Sequence, residues 1–293
     1  MKILLIGGTG VVGSEVQKEL IKRNKYQVRV LTTSPEKASA LPSGVEGIVG
    51  NVDDAASLEK AFQGINAVFM VNQHTLTEVE QGKNVINAAV KANVKKFVYQ
   101  SIHLTRNAPH VDHFRSKALL EDAIMESGLN YVFISPNNFY QNDHNFFRQA
   151  VTDYQLYIQP LGSVGVSRVD VRDIAVAVAN VLQTTDFDGK NVALVGPEAL
   201  TAEQTAHILT DVLGYQVNYV GDDLGSFKET LYPFVPKWQV DDWADMYGFF
   251  QKDGLKATKA EVAQLTILLG RKPRSYREYL QDYQEAFRQT ATV

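Results

Sequence analysis

The chain of 293 residues contains no cysteine. That absence removes disulfides, thiolate nucleophiles and zinc–thiolate centres together. Excess positive charge is missing too: 29 lysines and arginines stand against 33 aspartates and glutamates, a net charge of −4. Bulk charge therefore offers no footprint for nucleic acid or an anionic membrane surface. No stretch approaches the about eighteen continuous apolar residues that a membrane span needs. The apolar run at the amino end is too short for a secretory signal and enters a glycine turn directly. A cytoplasmic, soluble chain is expected. Its 45% hydrophobic and 21% charged residues suit an ordinary globular protein with a substantial core.

What is present is concentrated in the first thirteen residues, MKILLIGGTGVVG. A short apolar run, Lys2 to Ile6, reaches Gly7, Gly8, Gly10 and Gly13. An amphipathic segment from Ser14 to Arg23 follows, with Val16, Leu20 and Ile21 on one face. Strand, glycine turn and helix in that order form a dinucleotide-binding signature. Glycines let the backbone turn tightly and approach a pyrophosphate, and the free N–H groups of the helix start favour its charge. The motif alone is weak, but this context is the one it requires.

Further along, Gln27–Thr32, Val45–Val49, Ala67–Val71, Lys96–Gln100, Tyr131–Ser135 and Asn191–Val195 read as strands. Helical spacing marks Val79–Lys91, Asp112–Ser127 and Val169–Leu182 between them. Strands alternating with helices predict an α/β fold with a doubly wound parallel sheet. Asp53 or Asp54 is placed to cap a helix beginning near Ala55, and Thr201 to cap another with Glu203 one place short of a full capping box. Asn51 and Val52 fall at the carboxyl end of the third strand, where ligands bind in open α/β sheets. Ser275–Arg288 reads as a closing amphipathic helix.

About twenty positions after the glycines, a site for NAD places an acidic residue on the ribose. Here the position holds Thr32, Thr33 or Ser34, with Lys37 close by and Glu36 displaced beyond a proline. Hydroxyls and a lysine suit a 2′-phosphate and an acidic group would repel one, so the sequence leans towards NADP, with NAD possible. Each of these residues equally suits the plain task of capping a short helix. Beyond Gly221 the chain is dense in rings: Phe227, Tyr232, Phe234, Trp238, Trp243, Tyr247, Phe249 and Phe250. They suit either the core of a small helical lobe or the wall of an apolar pocket.

GGTGVVG at the amino end, HFRSK at 113–117 and PNNFYQN at 136–142 resemble the NmrA-like branch of the atypical short-chain dehydrogenases/reductases. The likeness covers the first two hundred residues well and the last ninety loosely. It implies a Rossmann domain, 1–150 with 169–198, and a smaller, mainly carboxyl-terminal α+β lobe, 151–168 with 199–293, that binds substrate. It also implies that Gly7, Gly10 and Gly13 hold a pyrophosphate with Thr9, Val11 and Val12 beside it. Thr33 stands where NADP-preferring relatives often carry arginine. Lys117 matches the family lysine near the nicotinamide ribose. Asn72, Gln73, Ser101, Pro136, Asn137, Asn138 and Phe139 would line the nicotinamide side. Members of the branch reduce quinones and triphenylmethane dyes, and more distant ones are redox-sensing regulators.

One absence bears on chemistry. Typical short-chain dehydrogenases use a tyrosine four residues before a lysine, and none of the 13 tyrosines here has that spacing. The place before Lys117 is taken by His113. A histidine can donate a proton near neutral pH, although a histidine here also suits packing at the helix start. His110 and His113 have no third ligand within sequence reach, so no metal is expected. Ser101 lacks the glycine-flanked elbow of an acyl-transfer nucleophile. The expected function is an NAD(P)H-dependent reductase of a small planar acceptor such as a quinone, using Lys117 and His113. A non-catalytic NAD(P)-binding redox sensor is the alternative, with a sugar-nucleotide epimerase behind both. The acceptor and the choice between monomer and homodimer stay open.

Overall fold

The computed structural model describes residues 1–288. The chain opens as β1 (Lys2–Ile6), α1 (Val11–Arg23), β2 (Gln27–Thr32), α2 (Pro35–Ser39), β3 (Val45–Val49) and α3 (Ala55–Phe62). It continues as β4 (Ala67–Met70), α4 (Glu78–Lys91), β5 (Lys96–Gln100), α5 (Asp112–Glu126) and β6 (Tyr131–Pro136). Next come α6 (Gln141–Asn145), α7 (Arg148–Tyr154) and the short β7 (Leu156–Tyr157), then α8 (Val171–Val181) and β8 (Asn191–Leu194). Seven strands form one sheet in the order β3-β2-β1-β4-β5-β6-β8. The pairings from β3 to β6 are parallel. Phe133 N donates to Lys190 O and Asn137 N to Leu194 O at constant offset, which aligns β8 with β6. This is the doubly wound Rossmann arrangement, with the strand order reversing between β1 and β4.

Burial explains why the strands were legible. β4, β5 and most of β1 and β6 are covered on both faces, and strands of that kind read as continuous apolar runs. On one face Leu4, Ile6, Met70, Phe97, Tyr99 and Phe133 pack with Phe62, Ile86, Leu120 and Ile124 from α3, α4 and α5. α1 packs against α8, where Arg23 Nη1 donates to Asn180 Oδ1 at 2.8 Å.

The chain divides into two compact units. The first comprises residues 1–106, 113–136 and 171–193, and the second 107–112, 137–170 and 194–293. Residues 137–150, grouped with the first domain from sequence, cluster with the second unit. The second unit adds α9 (Ala202–Leu213), β9 (Asn218–Tyr219), α10 (Leu224–Leu231), α11 (Lys237–Asp253), α12 (Lys259–Leu269) and α13 (Tyr276–Asp282). β7 and β9 pair in parallel. Its rings divide by depth: Phe227, Tyr247, Phe249 and Phe250 are buried, Tyr232, Trp238 and Trp243 are half-buried, and Phe234 is 83% exposed.

Several local expectations are corrected. α1 starts at Val11 rather than Ser14, because Gly10 already serves as its N-cap. The capping box of α9 is complete: Gln204 occupies the third helical place and exchanges hydrogen bonds with Thr201. α8 starts two residues later than the apolar spacing implied. The closing helix stops at Asp282 and passes into a 3-10 turn over Gln284–Phe287. Among the described residues no helix is long and apolar enough to cross a membrane.

Candidate active site

The chain leaves β1 at Gly7, whose φ of +77° is rarely adopted by residues with a side chain. A Cβ on Gly7 would lie 2.2 Å from Val71 O, and one on Gly13 would lie 2.2 Å from Gly7 O and 2.6 Å from Gly8 Cα. Gly13 draws α1 hard against the glycine turn, and Gly7 brings that turn against the chain that follows β4. Gly10 differs. Its φ is −82° and a Cβ there would meet only Gly7 O, at 3.4 Å. The fold does not require glycine at position 10, and the missing side chain leaves the mouth of the turn open. Thr9 and Val11 are exposed and Val12 is buried. α1 has no side-chain cap and no acidic residue in its first turn. Ser14 N is bonded back to Gly10 O at 2.9 Å; the N–H groups before it have no intrahelical acceptor. An open, positive helix end beside the point where strand order reverses fits a pyrophosphate.

The neighbouring strand ends are at the same edge of the sheet. Thr32 is buried at the end of β2 and Thr33 is exposed. Ser34 caps α2, accepting from Lys37 N at 3.1 Å and donating its hydroxyl to Glu36 Oε2 at 2.7 Å. Its hydroxyl is thus engaged locally, whereas the Thr33 and Lys37 side chains are exposed. After β3, Asn51 Oδ1 accepts from Asp53 N at 3.1 Å, and Val52 O accepts from Asn84 Nδ2 at 3.2 Å. Asp54, not Asp53, caps α3. After β4, Gln73 is exposed and Asn72 keeps a buried Oδ1 without a hydrogen-bond partner. A buried acceptor left over at a ligand edge suits a donor such as a carboxamide N–H.

Lys117 is buried, 8% exposed, and its Nζ forms an ion pair with Glu78 Oε1 at 2.5 Å. Its Nζ also lies 5.7 Å from the ring centre of Tyr99, near the carboxyl end of β5. Glu78, 1% exposed, further accepts from Ser116 Oγ at 2.8 Å and sits 3.3 Å from His74 Nδ1. Burial pushes the Glu78 carboxyl up, but the Lys117 charge and the hydrogen bonds from His74, Lys117 and Ser116 outweigh it and leave the pKa lowered. His113 is half-buried; its ring centre lies 5.4 Å from that of His74 and 4.9 Å, edge-on, from Phe114. His113 and Lys117 share a helix face as expected, yet each has its own neighbours. Ser101 is buried and donates to Glu121, a carboxyl raised by burial against the opposing pull of Ser101 and Arg106. Sequence reasoning missed Glu78 and Glu121, because neither glutamate carries a mark of partners that lie on other segments of the chain.

Pro136 closes β6 in the first unit. In the second, Asn137 is buried, donating through Nδ2 to Leu255 O at 2.8 Å and accepting at Oδ1 from Asn138 N. Asn138 Oδ1 accepts from Arg168 Nε at 3.2 Å, and Phe139 O accepts from Arg168 Nη2 at 2.8 Å. Arg168, 1% exposed, grips the wholly buried Asp143 with two nitrogens, at 2.7 and 3.0 Å. Tyr276 Oη and Gln159 Nε2 donate to the same carboxylate, and the Arg168 guanidinium lies 5.4 and 5.7 Å from the rings of Tyr276 and Tyr140. The asparagine turn is thus fixed from behind by a saturated ion pair.

The NmrA-like family matches residues 1–280. The chain belongs to that family. An NAD(P)H azoreductase of Xenophilus azovorans is 29% identical over 288 residues, covering 97% of this NmrA-like chain and 99% of that protein. A (4-alkanoyl-5-oxo-2,5-dihydrofuran-3-yl)methyl phosphate reductase of Streptomyces griseus is 30% identical over 290 residues, covering 97% and 99%. Among solved structures, an NADPH-dependent quinone oxidoreductase from Escherichia coli complexed with NADPH superposes with a TM-score of 0.85. Its identity is 25%, over 96% of this chain and 99% of that one.

Proposed function

We propose that this NmrA-like chain is an NAD(P)H-dependent oxidoreductase that reduces a small planar acceptor, such as a quinone, by direct hydride transfer. The observation that carries this reading is the open amino end of α1, set by Gly7 and Gly13 at the reversal of strand order. The reductases named among its relatives support it. A reduced nicotinamide, when bound, supplies the hydride.

The chain's own residues bind and orient. The N–H groups of Val11, Val12 and Gly13 take the pyrophosphate, and Gly10 gives it room. Thr9 borders the turn, while Thr32, Thr33, Ser34 and Lys37 take the 2′-phosphate side, with NADP preferred and NAD possible. Asn51 and Val52 border the adenosine side; Asn72, Gln73, Ser101 and the turn from Pro136 to Phe139 serve the nicotinamide side. Lys117 offers N–H donors to the ribose hydroxyls. A quinone that accepts hydride becomes a ring-stabilised phenolate, so it needs little help from an acid; the absent tyrosine–lysine pair is consistent with that. His113, four residues before Lys117, is assigned the protonation of the product. The second unit is read as the substrate-binding lobe.

The test is oxidation of NADPH by the purified protein with benzoquinone or naphthoquinone, followed by absorbance. Turnover well above the uncatalysed rate is expected. Tight cofactor binding without turnover would overturn the reductase reading in favour of an NAD(P)-binding sensor.

A further inference from the structure

We infer that Glu78 is a positioning residue: its buried carboxylate fixes the Lys117 ammonium at the carboxyl end of the sheet. The inference rests on the role given to Lys117 above. α5 offers Lys117 an acidic neighbour at the customary helical spacing, Glu121, four residues on. That pairing is not made. Glu121 takes Ser101 and Arg106, while Lys117 reaches across to Glu78 on α4, 39 residues away in sequence. An ammonium has three N–H donors, so one given to Glu78 fixes the group and leaves two for sugar hydroxyls.

Glu78 also does not act as an ordinary first-turn glutamate. Nothing in its contacts caps α4: the carboxylate is directed at Lys117 and Ser116 of α5 and at His74 in the turn after β4. One carboxylate therefore ties α5 to the chain segment that follows β4, and β4 is one of the two strands between which the sheet order reverses. Its almost complete burial matters in two ways. Water has little access to the carboxylate, and a charge that deep depends on the ammonium and on its contacts with Ser116 and His74.

The test is a double-mutant cycle with Glu78→Gln, Lys117→Met and the double variant. It is read as the NADPH dissociation constant and as kcat/KM with a benzoquinone. Each single change should lower kcat/KM about tenfold, and the double variant should be no worse than either alone. Multiplying losses, or a Glu78→Gln enzyme with wild-type values beside an impaired Lys117→Met, would overturn the inference while leaving Lys117 its role. An unimpaired Lys117→Met would overturn that role and this inference with it. If the wild type turns nothing over, the reductase reading fails separately, and the dissociation constants still read the cycle. A second readout needs no cofactor. In 15N-lysine spectra of the protein alone, the side-chain signal absent from Lys117→Met should be protected from exchange in the wild type and lose protection in Glu78→Gln; equal protection in both would overturn the inference. Should Glu78→Gln fail to fold, Glu78→Asp keeps the charge but withdraws it by one methylene. It should lower kcat with the thermal midpoint held, and an unchanged kcat would overturn the proposal.

Discussion

A buried ion pair in each unit, Lys117–Glu78 in the first and Arg168–Asp143 in the second, invites comparison, and the two are built differently. In the second unit Arg168 and Asp143 are saturated: two nitrogens on two oxygens, with Tyr276, Gln159, Asn138 and the Phe139 carbonyl filling the remaining positions. In the first, Lys117 and Glu78 meet through one contact, the carboxylate is shared with His74 and Ser116, and the lysine retains some exposure. A saturated pair has nothing left to offer a ligand, so it holds a fold together. A pair with donors in reserve at the carboxyl end of a parallel sheet can act on one. Burial of charge is common to both; the pairs differ in unused bonding capacity and in place. Two helix starts repeat the contrast. α9 closes its amino end with a full capping box, whereas α1 leaves its own uncapped beside the glycine turn.

The largest effect expected concerns the pairs. Arg168→Met leaves Asp143 buried without its cation and should cost about 3–5 kcal/mol in urea unfolding. Lys117→Met leaves Glu78 its other two donors and should cost clearly less while impairing turnover. Equal losses of stability would erase the distinction. Next comes Gly10→Asp, which places an anionic cap where space and φ allow one. It should weaken NADPH binding more than tenfold, about 1.4 kcal/mol, with stability held or raised. Unaltered affinity in titration calorimetry would remove the pyrophosphate from the α1 end. Thr201→Ala, at the closed helix start, should lower unfolding free energy by about 1 kcal/mol and leave cofactor affinity alone.

The gentlest effect is in pH dependence. Glu78 has a lowered folded pKa, so its contribution is present above the unfolded carboxylate value and is lost as pH falls through the folded one. Glu121 has a raised one, so its contribution is full at low pH and is lost as pH rises through its folded value. Unfolding free energy measured across a pH series should lose part of its acid-side fall in Glu78→Gln, and part of its decline towards neutrality in Glu121→Gln. Slopes matching the wild type in both variants would show that these carboxyls are not coupled to folding.

β1, β4, β5 and β6 were legible to within a residue because a buried parallel strand has no solvent-facing side to interrupt its apolar run. The glycine turn was legible because a Cβ at Gly7 or Gly13 would lie 2.2 Å from a backbone oxygen, which leaves no room for another residue there. α12 and the small pair of β7 with β9 were not. α12 carries leucine, isoleucine and valine without a clear apolar face, and two-residue strands have no period to read. The capping box of α9 was missed by one place, since the offset from Thr201 to Gln204 counts only once the helix start is fixed.

Read along the chain alone, the residues establish the order of strands and helices in the first unit, the glycine turn after β1 and the absence of a tyrosine–lysine dyad. Those are properties of a residue and its near neighbours along the chain, where periodicity and backbone sterics act. It took the folded chain to show that Lys117 pairs with Glu78 rather than Glu121, that Arg168 locks Asp143, that Gly10 has neither a positive φ nor a close contact, and that Asn72 keeps an unanswered acceptor. Each of these depends on which groups are brought together after water is excluded, and a charge or hydrogen bond finds its partner by distance in space.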